Sequence, residues 1–190
     1  VDRLIDFALP ANLVAPQLLG CLLSHRGVTI RLTEVEAYLG AEDEAAHTYR
    51  GQTPRNAAMF GEPGRMYVYH SYGIHKAGNI VCAPRGTGQG CLLRAGEVVD
   101  GIELARARRG DVDFFNLARG PGNLGKALGL EISDNGQPVT GPEFMLHERK
   151  TEPEWVAGPR IGISKNVDAR LRFWIPRDKS VSARRGYPAT

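Results

Sequence analysis

With 190 residues and 42% hydrophobic content, the chain is long enough to bury one core, and a single domain over residues 1–190 is the expected organisation. Its formal charge of +3 suits a polyanionic partner without requiring one. Cys21, Cys82 and Cys91 are too few and too scattered for a disulfide framework, which leaves reduced thiols, and neither they nor the five dispersed histidines offer a metal-ligand set.

The first residues include Asp2, Arg3, Asp6 and Pro10 rather than an unbroken apolar stretch. The richest apolar run, around Leu18 to Leu23, is far below membrane-spanning length, so the chain reads as cytoplasmic or otherwise intracellular. Leu13 to Ser24 spaces Val14, Leu18 and Leu22 four apart and predicts an amphipathic first helix. Gly27 then opens an extended segment, Val28 to Tyr38, in which Val28, Ile30 and Leu32 alternate with Thr29, Arg31 and Thr33. Continuing that period puts Glu34 and Glu36 at the end of the apolar stripe, where two carboxylates are costly unless paired or used. A bulge after Leu32 would instead rotate them towards solvent.

A polar loop carries His47 and continues through Gly51-Gln-Thr-Pro-Arg-Asn56. Arg65 to Tyr72 is a second extended run, turning near Gly73 and returning from Ile74 to Val81 as a hairpin with Tyr72 at its tip. A strand over Gly90–Glu97 and a helix around Ile102–Arg109 follow. Gly120-Pro-Gly-Asn-Leu-Gly-Lys126 is a glycine-rich entry to a short helix. Asp134-Asn-Gly136 predicts a hairpin turn, and Pro159–Ser164 and Leu171–Ile175 predict late strands. From Arg160 onward there are eight Lys/Arg against two Asp, Asp168 and Asp178. Such a run is either a solvated face or a set of phosphate contacts.

Taken as chemistry, Glu34 to Asn79 holds two strand carboxylates, a loop histidine, Tyr67, Tyr69 and Tyr72 on one hairpin, and an asparagine on its return strand. Each alone has an ordinary structural explanation. Together they are the kinds of group needed to extrude a base from duplex DNA, fill the gap, hold the base between aromatic faces and activate water.

Thr33-Glu-Val-Glu-Ala-Tyr-Leu-Gly40, Asp43-Glu-Ala-Ala-His47, Thr53-Pro-Arg-Asn56, Met59-Phe60, Tyr67-Val-Tyr69, Tyr72-Gly73 and Gly120-Pro-Gly122 occur in one order. In that order they resemble the alkyladenine (3-methyladenine, methylpurine) DNA glycosylase family, from about Leu18 through Ile163. The resemblance implies a mixed α/β domain with an antiparallel sheet, surrounding helices and a protruding, DNA-intercalating hairpin. It implies a monofunctional enzyme that acts on double-stranded DNA containing damaged purines and works without a cofactor. Glu36 matches the family's general base, and Arg94 a basic residue near that carboxylate and the sugar-phosphate backbone. Tyr38, His47 and Tyr69 match the walls of the flipped-base pocket, Tyr72 the intercalating residue, and Asn79 the position that crowds the amino group of guanine. Lys76 and Gly78 depart from the bulkier apolar residues common in relatives, so base preference does not carry over in detail. A cation at position 76 would lie either at the pocket rim or on the outer hairpin face.

Three rival readings remain at this level. Gly120 to Lys126 spells GxxxxGK, although Ala127 stands where a phosphate-binding loop needs a hydroxyl. The fold could serve a non-catalytic damage-binding protein, or Lys76 could act as a Schiff-base nucleophile.

Overall fold

The computed structural model describes residues 5–71 and 73–182. They form a mixed α+β domain in which three helices pack around one curled antiparallel sheet of eight strands. The long strand β2 (Val28–Tyr38) organises it. Strand β5 (Gln89–Asp100) runs along one edge of β2 over its whole length. The other edge is shared: β1 (Leu22–His25) takes the first half and β8 (Arg172–Trp174) takes Glu34 to Glu36. Beyond β5 come β4 (His75–Cys82) and β3 (Met66–Ser71); β6 (Phe144–His147) pairs with β1, and β7 (Val156–Gly158) with β8.

The register of β2 against β5 settles the question of Glu34 and Glu36. Leu32 pairs with Gly96 and Glu34 with Ala95, so Thr33 is an extra residue on β2; Val35 pairs with Leu93, so Arg94 is an extra residue on β5. The bulge at Thr33 inverts the parity of the strand. Ile30 and Leu32 before it, and Val35 and Ala37 after it, all enter the main core. Glu34 and Glu36 therefore leave the apolar face, as a bulge requires. They do not reach solvent, because both are fully buried in a second, polar layer.

Helix α1 (Ala11–Leu18) lies on β2 and β5, and α3 (Pro121–Leu128) lies on β4 and β5 beside α2 (Ile102–Arg109). Leu18, Leu32, Leu93, Leu124 and Phe144 belong to the core that these elements enclose. The first helix is shorter than its apolar spacing predicts. Gly20, at φ +90°, ends it, and its N–H already donates to Leu32 O, so Leu22 belongs to β1.

Two further expectations are corrected. Asp134-Asn-Gly136 does turn the chain, with Gln137 N–H donating to Asp134 O, but joins no hairpin: it follows the 3₁₀ turn Ile132–Asp134, Asn135 Oδ1 accepts Val68 N–H and Gly136 N–H donates to Met66 O. The segment satisfies the outer edge of β3 instead. The late strand is Val156–Gly158 rather than Pro159–Ser164, whose residues run irregularly along the site. Among the described residues no helix is long and apolar enough to cross a membrane. All three cysteines are free thiols and buried.

Candidate active site

The polar layer occupies the sheet face opposite the main core. Tyr67 pairs with Asn79, Asn79 with Leu92, Leu92 with Glu36, and Glu36 with Arg172. These five residues form one row across β3, β4, β5, β2 and β8. Period two then adds Tyr69 beside Tyr67 and Tyr38 beside Glu36 on the same face. The core-facing neighbours Met66, Val68, Ile80, Leu93 and Val35 hold the row from behind.

A cavity of about 860 Å³ opens over this face. Tyr38, His47, Tyr67, Tyr69, Asn79 and Arg94 line it, and Ile161 to Lys165 close its far side. The Tyr67 and Tyr69 rings stack at 5.8 Å, and the His47 ring meets Tyr69 edge-on at 4.6 Å. Asn56, nearly buried, fixes the loop that carries His47: its Nδ2 donates to the carbonyl oxygens of His47 and Gly51, and its Oδ1 accepts Thr53 N–H. Desolvation and the nearby Arg55 charge push the ionisation of His47 below its ordinary value.

Glu36 lies directly behind the wall formed by Tyr38, Arg94 and Ile161. Its Oε1 accepts the Tyr38 hydroxyl at 2.9 Å, its Oε2 accepts the Ile161 N–H at 2.8 Å, and Arg94 Nη1 stands 3.6 Å from Oε1. Burial raises the Glu36 carboxyl above the usual carboxylate range, outweighing Arg94 and both hydrogen bonds. Burial and the Glu36 charge likewise hold the Tyr38 phenol far above its ordinary value, so it stays a donor. For Arg94, burial works against the charge, but Glu36 and Glu34 more than offset it.

Glu34 is saturated. Arg172 Nε, the Ser182 N–H and the Ser182 hydroxyl all donate to it. Behind Tyr38 the Arg160 guanidinium stacks at 4.6 Å from the ring centroid and pairs with Asp43 through two hydrogen bonds of 2.6 and 2.8 Å. Asp43, Arg160, Arg172, Ser182 and Asn56 were not singled out as site residues by sequence reasoning. Asp43 and Asn56 do lie within the motifs that carry the family resemblance. Arg160 and Arg172 were counted in a basic run of possible phosphate contacts, and both are instead consumed by buried carboxylates.

The structure thus brings Glu36, Tyr38, His47, Tyr69, Asn79 and Arg94 together around one cavity. Tyr72 falls outside the described residues; its neighbours Ser71 and His75 pair at the end of the β3–β4 ladder. Lys76 reaches neither the pocket nor open solvent as a lone cation, because its Nζ pairs with Glu131 at 2.8 Å. At Gly78 a Cβ would meet only the ends of the Leu130 and Met66 side chains, at 2.8 and 3.1 Å.

A model of the family described as methylpurine-DNA glycosylase matches residues 5–179. The chain belongs to the methylpurine-DNA glycosylase family. It is a DNA N-glycosylase, and DNA is its substrate. Relatives in Corynebacterium efficiens (67% identical over 186 residues, 98% of each chain) and Corynebacterium glutamicum (69% over 185 residues, 97% of this chain and 98% of the relative) are named "Putative 3-methyladenine DNA glycosylase". The same name is carried by a relative in Cutibacterium acnes, 47% identical over 190 residues, covering 96% of this chain and all of the relative.

For this glycosylase the glycines of Gly120 to Lys126 have a packing explanation. A Cβ on Gly122 would stand 2.7 Å from the His75 ring, and one on Gly125 would stand 1.8 Å from Lys76 O. They let α3 press against β4 at the turn end of the hairpin. Lys126 is exposed in the last turn of the helix.

Proposed function

We propose that this glycosylase removes alkylated and deaminated purines, of the 3-methyladenine, 7-methylguanine, hypoxanthine and ethenoadenine class, from duplex DNA. It does so by flipping the nucleotide and hydrolysing the glycosidic bond, leaving an abasic site. It works as a monomer, with residues 1–190 acting as one domain. The observation that carries this reading is the fully buried Glu36 carboxylate behind Tyr38 and Arg94, the two groups through which it meets an aromatic cavity.

In this reading, Tyr38, His47 and Tyr69 hold the flipped purine. As the bond to the base lengthens, positive charge builds on the sugar, and Glu36 stabilises that charge while accepting a proton from the attacking water. A raised carboxyl is a stronger base than an ordinary one, which suits this role. Arg94 faces the same carboxylate and is available to the sugar-phosphate backbone. His47, pushed towards its neutral form, serves as wall and hydrogen-bond partner. Tyr72 fills the gap left in the stack, and Lys165, exposed at the cavity edge, contacts phosphate. Asn79, nearly buried in the cavity wall, collides with the exocyclic amine of undamaged guanine.

The test is incubation with duplexes carrying one lesion each, followed by alkaline cleavage. Alkali-dependent strand breaks at the lesion are expected. Breaks formed without alkali would point to a lyase, and release of none of the four bases would overturn the proposal. Asn79→Gly should raise the slow release of undamaged guanine; unchanged guanine release would remove Asn79 from selectivity.

A further inference from the structure

One carboxylate is enough to activate water, yet two are fully buried on the same face of β2, and the mechanism above does not use Glu34. Neutralising Arg172 would explain its presence but not the placement of Arg94. Arg94 Nε stands 3.5 Å from Glu34 Oε2, and Arg94 Nη1 stands 3.6 Å from Glu36 Oε1. Charge-assisted N–H···O bonds normally close to about 2.7–2.9 Å, and arginine beside a single carboxylate tends to close on it as a fork. Here the guanidinium closes on neither, and its buried Nε has no hydrogen-bond partner among the described residues. Its Nη2 donates to the Ser182 hydroxyl at a long 3.5 Å, and the two carboxylates share its charge.

We infer that Glu34 is a positioning residue, which holds Arg94 suspended between the two carboxylates and so keeps it from closing on Glu36. This rests on the reading of Glu36 as the base. The tether has a second end. Arg172 Nε and the Ser182 N–H and hydroxyl engage Glu34, and Arg172 Nη2 also donates to Ser182 O. With Arg172 taking much of its charge, Glu34 attracts Arg94 only enough to balance Glu36.

The groups facing Glu36 come from several elements, and their directions agree with this arrangement. Arg94 on β5, the Ile161 N–H and the Tyr38 hydroxyl favour its charged form, while burial and Glu34 oppose it. Arg172 is its register partner on β8, Arg160 lies behind Tyr38, and the Tyr69 phenol on β3 acts on both Arg94 and Tyr38.

The two ends of the tether should act with opposite signs. Glu34→Gln removes a negative neighbour and releases Arg94 towards Glu36, which lowers the Glu36 pKa. Arg172→Gln removes the cation nearest Glu34, draws Arg94 towards Glu34 and away from Glu36, and raises that pKa. The measurement is the pH dependence of single-turnover release of 7-methylguanine, a lesion whose departure needs no added proton. For Glu34→Gln the acid limb should move down by about one pH unit, with a plateau roughly three-fold lower, as partial proton transfer to the base implies. For Arg172→Gln the limb should move up. Glu34→Asp, which keeps the charge, should restore the wild-type limb.

Folded variants with the wild-type limb, differing only in overall rate, would overturn the inference. Should Glu34→Gln fail to fold, as judged by circular dichroism, the direction of shift in Arg172→Gln decides. Glu36→Gln is the control: if it retains wild-type activity, the base assignment itself falls. If it is inactive while the other limbs stay put, only the role of Glu34 falls.

Discussion

Asp43 and Arg160 are both fully buried, and their paired hydrogen bonds join the loop after β2 to the loop after β7. Arg160 Nη1 also donates to Ala37 O, so the pair fixes the backbone beside Tyr38 as well as supporting its ring. Removing one charge from such a pair strands the other, at a cost of about 3–5 kcal/mol. Asp43→Asn should therefore lower stability by about that amount in denaturant unfolding at neutral pH. Burial works against the Asp43 charge, but the bonds from Arg160, Asn166 and the Leu39 N–H prevail and hold it below the usual carboxylate range. A depressed carboxylate contributes stability that is fully present above the unfolded value, about 3.9, and is lost as pH falls through the lower folded value. Acid destabilisation below about pH 4 should accordingly be shallower in Asp43→Asn; equal slopes and equal midpoints would show that the pair does not brace this wall. The residues that could be read from the sequence are those close together along it, from Glu36 to Arg94. Their partners Arg160, Arg172 and Ser182 arrive from far along the chain, Arg160 from 117 positions beyond Asp43 and Ser182 from 88 beyond Arg94. Nothing in a run of basic residues tells a buried guanidinium from a solvated one.

At the scale of elements, α3 buttresses the β3–β4 hairpin. Replacing an ordinary helix-interior glycine by alanine gains roughly 0.5–1 kcal/mol. At Gly125 the new methyl would stand 1.8 Å from Lys76 O, and overpacking of this kind typically costs about 1–3 kcal/mol. Gly125→Ala should thus destabilise the fold and reduce base flipping, read as the 2-aminopurine signal beside a lesion. Exposed Lys126→Ala should leave both within error. A stable Gly125→Ala variant with normal flipping would contradict the buttress, and loss of activity in Lys126→Ala would revive the phosphate-loop reading. Strand β2 and helix α2 match their predicted limits, because glycines flank both of them. The apolar spacing overextends the first helix because Leu18 and Leu22 keep helical spacing across Gly20, whose φ is +90°. Residues Pro159 to Ser164 look like a strand by composition but are drawn out of the sheet. There Arg160 is claimed by Asp43, and the Ile161 N–H, which could have served a ladder, goes to Glu36.

Over the whole molecule, one sheet separates two environments. Its apolar face supports the helices, and its polar face carries a row running from Tyr67 to Arg172. The bulge at Thr33 makes this possible, because without it Glu34 and Glu36 would point into the core. The fold class and the cluster of site residues were visible in strand alternation and motif order. The inverted parity was not, because a bulge is a property of two paired strands and not of either alone. Burial raises the Glu36 carboxyl, so Glu36 adds least to stability once pH rises through its folded value, and an uncharged substitute there should not lower the melting temperature near neutrality. That separates loss of chemistry from loss of fold. The deciding measurement is therefore single-turnover release of 7-methylguanine by Glu36→Gln, with lesion-duplex affinity and melting temperature measured in parallel. A rate about 10²–10⁴-fold lower, at unchanged affinity and undiminished melting temperature, is the predicted result. Release within a few-fold of wild type would contradict the assignment of Glu36 as the base.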